Sequence, residues 1–186
     1  VGRYYVPDDR ALRRSARHAT SYIKTITFLL ARDRDASVEE LFAVVADNFN
    51  DVEPYFALGA LFRNRGEWER AIRVHQNIIA KPGLDDRQRT RALLELGEDY
   101  MRAGLFDRAE NLFNELIELE SHAPSALRNL LDIYQQENDW EKALLQAQKL
   151  VAVTDEKLGL TMAHLCCEMA EIDLKADKPA AARTHL

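Results

Sequence analysis

Residues able to do covalent or acid–base chemistry are few in this chain, and their spacing argues against a catalytic centre. His164 lies close to Cys166 and Cys167, the only two cysteines, which raises a metal site or a thiolate nucleophile. Adjacent cysteines diverge around a helix and can share neither a relaxed disulfide nor a tetrahedral metal. No second ligand cluster and no activating base stands near them in sequence. The five histidines are dispersed, and His75 falls on an apolar helical stripe, where a structural role is expected. The carboxylates Glu39-Glu40, Asp85-Asp86 and Glu118 with Glu120 fall at predicted helix edges, where solvation and capping account for them. No glycine-rich phosphate loop is present. The residues point to no catalytic group, no cofactor and no metal ligand.

Recognition remains. Arg63 and Asn64, then Arg91, Glu98 and Arg102, then Arg128, Asp132 and Gln135 recur at matching places in a repeated unit, and these eight are the expected partner-binding groove. An arginine fork pairs bidentately with carboxylates, so a row of them one repeat apart suits an acidic or mixed protein surface. Arg65, Arg70 and Arg73 fall off that surface.

The elements that must position these side chains are helical hairpins. Tyr55 to Ile79 is one complete unit. Phe56, Leu58, Gly59, Leu61 and Phe62 form one helix face; Trp68, Ala71, Ile72, His75, Ile78 and Ile79 form the next, with Gly66 at the turn. Gly59 lets the two helices lie close. The turn positions Asp33, Gly66, Gly104, Asn138 and Asp177 are 33, 38, 34 and 39 residues apart, near the roughly 34-residue tetratricopeptide period. Leu58-Gly59, Phe62, Gly66 and Ala71 are repeated as Leu96-Gly97, Tyr100, Gly104 and Ala109, and again as Leu131, Tyr134, Asn138 and Ala143. Trp68, Phe106 and Trp140 share one place and are expected to pack rather than to bind a ligand. In a final unit Met162, Leu165, Cys166, Met169, Ala170 and Ile172 are expected inward. The predicted fold is all-α, a stack of tetratricopeptide-like hairpins in a right-handed superhelix, with repeats at about 20–50, 51–82, 84–121, 122–155 and 158–186, the last truncated. Residues 1–19 form a basic leading segment. Chaperone-binding modules of this fold use a Lys, Asn and Arg clamp; the corresponding places here hold Glu53, Phe56 and Ala60, then Arg91, Leu94 and Glu98, so that clamp is absent.

Charge is unevenly spread. The formal net is −6, yet Arg3, Arg10, Arg13, Arg14, Arg17 and Lys24 against Asp8 and Asp9 leave residues 1–30 at +4 and the rest at −10. An acidic body lacks the clustered Lys and Arg that counterion release needs, which argues against nucleic acid. Two unpaired cysteines fit a reducing compartment. No run of about 18 apolar residues exists to span a bilayer. The first residue is not Met and the last stretch reads as mid-helix, so the expectation is a fragment cut at both ends.

A narrower resemblance rests on Leu61-Phe62-Arg63, Arg65-Gly66-Glu67, Arg70-Ala71-Ile72-Arg73 and His75-Gln76. It continues through Gln88-Arg89, Asp99-Tyr100-Met101, Ala103-Gly104-Leu105, Asp107-Arg108-Ala109-Glu110, Ile133-Tyr134-Gln135, Ala163-His164 and Cys167-Glu168. These stretches resemble the bacterial lipopolysaccharide assembly protein B family over most of residues 20–186. The resemblance implies an inner-membrane protein with one N-terminal membrane helix, a repeat array on the cytoplasmic face, and a rubredoxin-type metal knuckle of paired CxxC motifs in a C-terminal tail. It further implies an adaptor, without catalysis of its own, that brings the deacetylase of lipid A synthesis to a membrane-bound AAA+ protease. A tetratricopeptide scaffold for another envelope or secretion assembly is the alternative. Whether the array forms a homo-oligomer stays open at this point.

Overall fold

The computed structural model describes residues 52–185; the basic segment at 1–19 and the repeat expected at about 20–50 lie outside the described residues. Within the described residues every regular element is a helix. The described residues divide into two compact units, the first ending at Gln88 and the second beginning at Arg89.

In the first unit, α1 (Glu53–Asn64) and α2 (Trp68–Ile79) pack as a hairpin. Pro54 opens α1, where a missing N–H costs no helical hydrogen bond. Tyr55, Phe56, Leu58 and Phe62 of α1 meet Ala71, Val74, His75 and Ile78 of α2 as the core. Burying each large apolar side chain contributes about 1.5–3 kcal/mol. Ile72 and Ile79, expected inward, are half-buried, while Val74 is fully buried. The stripe on α2 is rotated because Gly59 opens the crossing at His75: a Cβ on Gly59 would lie 2.4 Å from two His75 ring atoms.

α3 (Asp86–Arg102) starts with a capping box. The Gln88 N–H donates to Asp85 Oδ1 at 2.7 Å, and the Asp85 N–H donates back to Gln88 Oε1 at 3.3 Å. Two N–H groups that the helix cannot satisfy itself are thus satisfied.

The second unit continues with α4 (Phe106–Glu118), α5 (Ala123–Gln136), α6 (Trp140–Val153), α7 (Gly159–Lys175) and the one-turn α8 (Pro179–Ala182). Sequential neighbours from α4 to α8 are in contact. Phe113, Leu116, Leu130, Ile133, Leu150 and Leu165 are among its largest fully buried side chains. Gly97 repeats the role of Gly59: a Cβ there would lie 2.6 Å from Phe113 Cε1. In the next hairpin the sizes are exchanged, Leu131 standing at the glycine position and Ala147 at the Phe113 position, both buried.

The turn residues share one conformation. Gly66, Gly104, Asn138 and Asp177 all adopt left-handed φ, at 76°, 75°, 59° and 57°. The residue after each donates its N–H to a carbonyl five back: Glu67 to Phe62 at 2.9 Å, Leu105 to Tyr100 at 2.9 Å, Asp139 to Tyr134 at 2.8 Å, and Lys178 to Asp173 at 2.8 Å. This is the Schellman closure, which satisfies a carbonyl left over at the helix end.

α7 departs from expectation. Only Leu165 and Ala170 of its predicted stripe are buried, while Ile172 is 50% exposed and Leu160 86% exposed. Among the described residues only α6 and the four-residue α8 pack on α7, and so little covering surface leaves half the stripe open.

Candidate functional site

The groove positions expected from the sequence all fall on first helices of the hairpins, α1, α3 and α5. In three of the hairpins a cation eight residues after the closing aromatic folds back over its ring. The Arg70 guanidinium lies 4.2 Å from the Phe62 centroid, Arg108 5.7 Å from Tyr100, and Lys142 Nζ 5.0 Å from Tyr134. Arg70 also pairs with Glu67 at 2.8 Å, and Lys142 with Asp139 at 3.0 Å. These cations pin the two helices of a hairpin together. Of these three, only Arg70 is placed off the groove by the sequence reading.

Of the expected groove residues, Arg63 and Asn64 occupy the last turn of α1 in the first unit, Arg63 half-buried and Asn64 exposed. The other six lie in the second unit. Arg91 and Glu98 are half-buried two turns apart on α3, and Arg102 is exposed in its last turn. Arg128 and Asp132 are exposed one turn apart on α5, with Gln135 half-buried beyond them. Arg102 and Asp132 act on each other: burial raises the Asp132 carboxyl above its ordinary value, and the Arg102 charge pulls it down. The end of α3 and the middle of α5 therefore share one electrostatic surface.

Arg128 is engaged from a direction that helical periodicity does not show. Its guanidinium pairs with Glu156 in the loop between α6 and α7, through Nη2 to Oε1 and Nε to Oε2, the latter at 3.4 Å. Thr154 shapes that loop by donating its hydroxyl to the Leu150 carbonyl at 2.7 Å and accepting the Glu156 N–H at 3.4 Å. The hydrogen bond from Arg128 holds the Glu156 carboxyl below the usual range. Glu156 belongs to no stripe, so no spacing rule points to it; Thr154 two residues before it is the only local signal.

A second contact ties neighbouring hairpins. The Tyr134 hydroxyl donates to Glu110 Oε1 at 2.6 Å, and burial first, then that bond, raise the phenol's pKa. His75, taken as a structural histidine, is fully buried beside Phe56, with ring centroids 6.0 Å apart. Cys166 is half-buried and Cys167 exposed. The chain's two cysteines form no CxxC pair, and among the described residues no three His, Cys, Asp or Glu side chains converge on a metal position. The residues present do not fit a rubredoxin-type centre, and no metal chemistry is assigned to them. No helix among the described residues is long and apolar enough to cross a membrane.

Known proteins are similar in both repeat and sequence. A tetratricopeptide repeat family model matches residues 55–88. Lipopolysaccharide assembly protein B of Escherichia coli K12 is 38% identical over 170 residues, which is 91% of this chain and 44% of that protein. Its counterpart in Haemophilus influenzae is 33% identical over 158 residues, 81% of this chain and 40% of that protein. The chain thus spans less than half the length of the curated relatives it matches.

Proposed function

We propose that this chain, a tetratricopeptide-repeat homologue of part of lipopolysaccharide assembly protein B, is a non-catalytic adaptor that regulates lipopolysaccharide synthesis. It brings the deacetylase of the lipid A pathway to a membrane-bound AAA+ protease at the cytoplasmic face of the bacterial inner membrane. The single observation that supports this most is the similarity to those relatives across nearly the whole chain, running through the same helices that carry the groove residues. The chemistry agrees with the reading. A surface of Arg91, Glu98, Arg102, Arg128, Asp132 and Gln135 on α3 and α5 offers mixed charges suited to a protein partner, and nothing in it suits a small-molecule reaction. Arg63 and Asn64 hold the corresponding places on α1, within the first unit.

The test is capture from native membranes by the intact protein, read by mass spectrometry. Arg63→Glu with Arg102→Glu is expected to reduce recovery of the deacetylase or the protease by about tenfold or more, since like charges brought face to face cost several kcal/mol. Arg73→Glu, exposed on α2, is expected to leave recovery unchanged. Recovery that survives the double change, with helicity intact, would overturn the groove. Recovery of a different envelope or secretion assembly in place of both partners would replace the adaptor reading with the scaffold one.

A further inference from the structure

We propose that Arg128 is a carboxylate receptor within the groove, and that Glu156 is its internal occupant, which an acidic side chain of a protein partner must displace. The inference rests on the groove reading given above and adds the chemistry of one contact to it. Glu156 reaches Arg128 from 28 residues away, out of a loop rather than from a neighbouring turn. It engages two guanidinium nitrogens, Nε and Nη2, with two different oxygens. This is the fork-to-fork geometry by which arginine recognises any carboxylate, including one from another chain.

The position is built for exchange rather than for cohesion. The Arg128 side chain is 47% exposed and that of Glu156 35% exposed, so an incoming carboxylate reaches the guanidinium without opening the core. A pair as wet as this adds little to folding, and releasing Glu156 to water costs correspondingly little. The Thr154 hydroxyl nevertheless keeps Glu156 near Arg128 through the loop backbone.

The test uses the full chain and a fluorescein-labelled hexaglutamate peptide as the carboxylate probe, followed by fluorescence anisotropy at low and at physiological salt. Glu156→Gln is expected to bind the probe about two- to fivefold more tightly than the parent, the range an exposed ion pair supports. Arg128→Gln is expected to lose the probe, and the double variant to match Arg128→Gln rather than Glu156→Gln. Glu141→Gln removes the same charge from an exposed place on α6 and controls for net charge; it is expected to bind as the parent does. If Glu156→Gln binds no tighter than Glu141→Gln, the displacement idea fails, while an Arg128→Gln loss would leave the groove intact. If neither parent nor Glu156→Gln binds, Arg128 is not a carboxylate receptor, and the groove reading then stands or falls by the charge-reversal capture experiment alone. Far-UV circular dichroism of each variant separates lost binding from lost fold.

Discussion

At the scale of single residues, two backbone demands explain which substitutions this chain can tolerate. The first is close approach. Phe113 is fully buried and its ring faces Gly97, so it has no space into which to retreat. Gly97→Ala is expected to destabilise the second unit by roughly 1–3 kcal/mol through overpacking, read as a lower urea midpoint with an unchanged slope. Leu131 at the equivalent place is accepted because Ala147 stands opposite it in the repeat register. The second demand is left-handed φ. Gly104 at 75° meets it without strain, whereas Asn138 at 59° carries a Cβ in a region that disfavours one. Gly104→Ala should therefore lower stability by about 1 kcal/mol and Asn138→Gly should leave it equal or raise it by a few tenths. Opposite signs at the two turns are the measurement; equal losses would show that side-chain contacts, not φ, govern these positions.

At the scale of elements, the hairpins and their turns were legible in sequence because a period carries them. Each left-handed turn residue, each small residue at a crossing and each closing aromatic recurs at a fixed place. Val74 and Gln146 show where that legibility ends. They occupy one repeat position, just before the residue facing the first helix, and both are buried, although the apolar stripe drawn from spacing passes beside them. For Gln146 the reason is visible: α6 is covered by both α5 and α7, so its buried arc is wider than one amphipathic stripe reveals. The eight expected groove positions fall on first helices, α1, α3 and α5, but two contacts were not legible: Glu156, which pairs with Arg128, comes from a loop, and Glu110, which accepts from Tyr134, from a second helix, each paired by tertiary placement alone. Glu110 offers a test. Tyr134→Phe removes the hydroxyl that donates to it and should cost about 1 kcal/mol near neutral pH. The folded state holds the Tyr134 phenol neutral, its pKa raised by burial and by Glu110. Its contribution is therefore complete below the unfolded tyrosine value of about 10 and is lost as pH rises above it. Urea midpoints between neutral pH and about 11 should converge for parent and variant in the alkaline range; a constant gap would mean that the phenol is not the titrating group.

At the scale of the whole chain, the division of charge bears on whether its leading segment meets an anionic membrane surface. Residues 1–30 carry +4 while the remainder carries −10, so a uniform electrostatic character cannot describe it. Arg10, Arg13, Arg14 and Arg17 fall within eight residues. Against an anionic leaflet each basic side chain near the surface contributes about 1 kcal/mol. The acidic remainder opposes that attraction only where it comes within a screening length, about 8 Å at physiological salt. Local basic density should therefore prevail over the negative total. The expected result is co-sedimentation of the chain with vesicles containing phosphatidylserine or phosphatidylglycerol, and much less with neutral phosphatidylcholine vesicles. The preference should fall on raising salt and vanish in a variant with Arg13 and Arg14 changed to Glu. Equal partition to both vesicle types, or a preference unaffected by that change, would mean that the four arginines do not hold the chain to an anionic surface. Membrane proximity, where the protein has it, would then have to come from elsewhere than these four arginines.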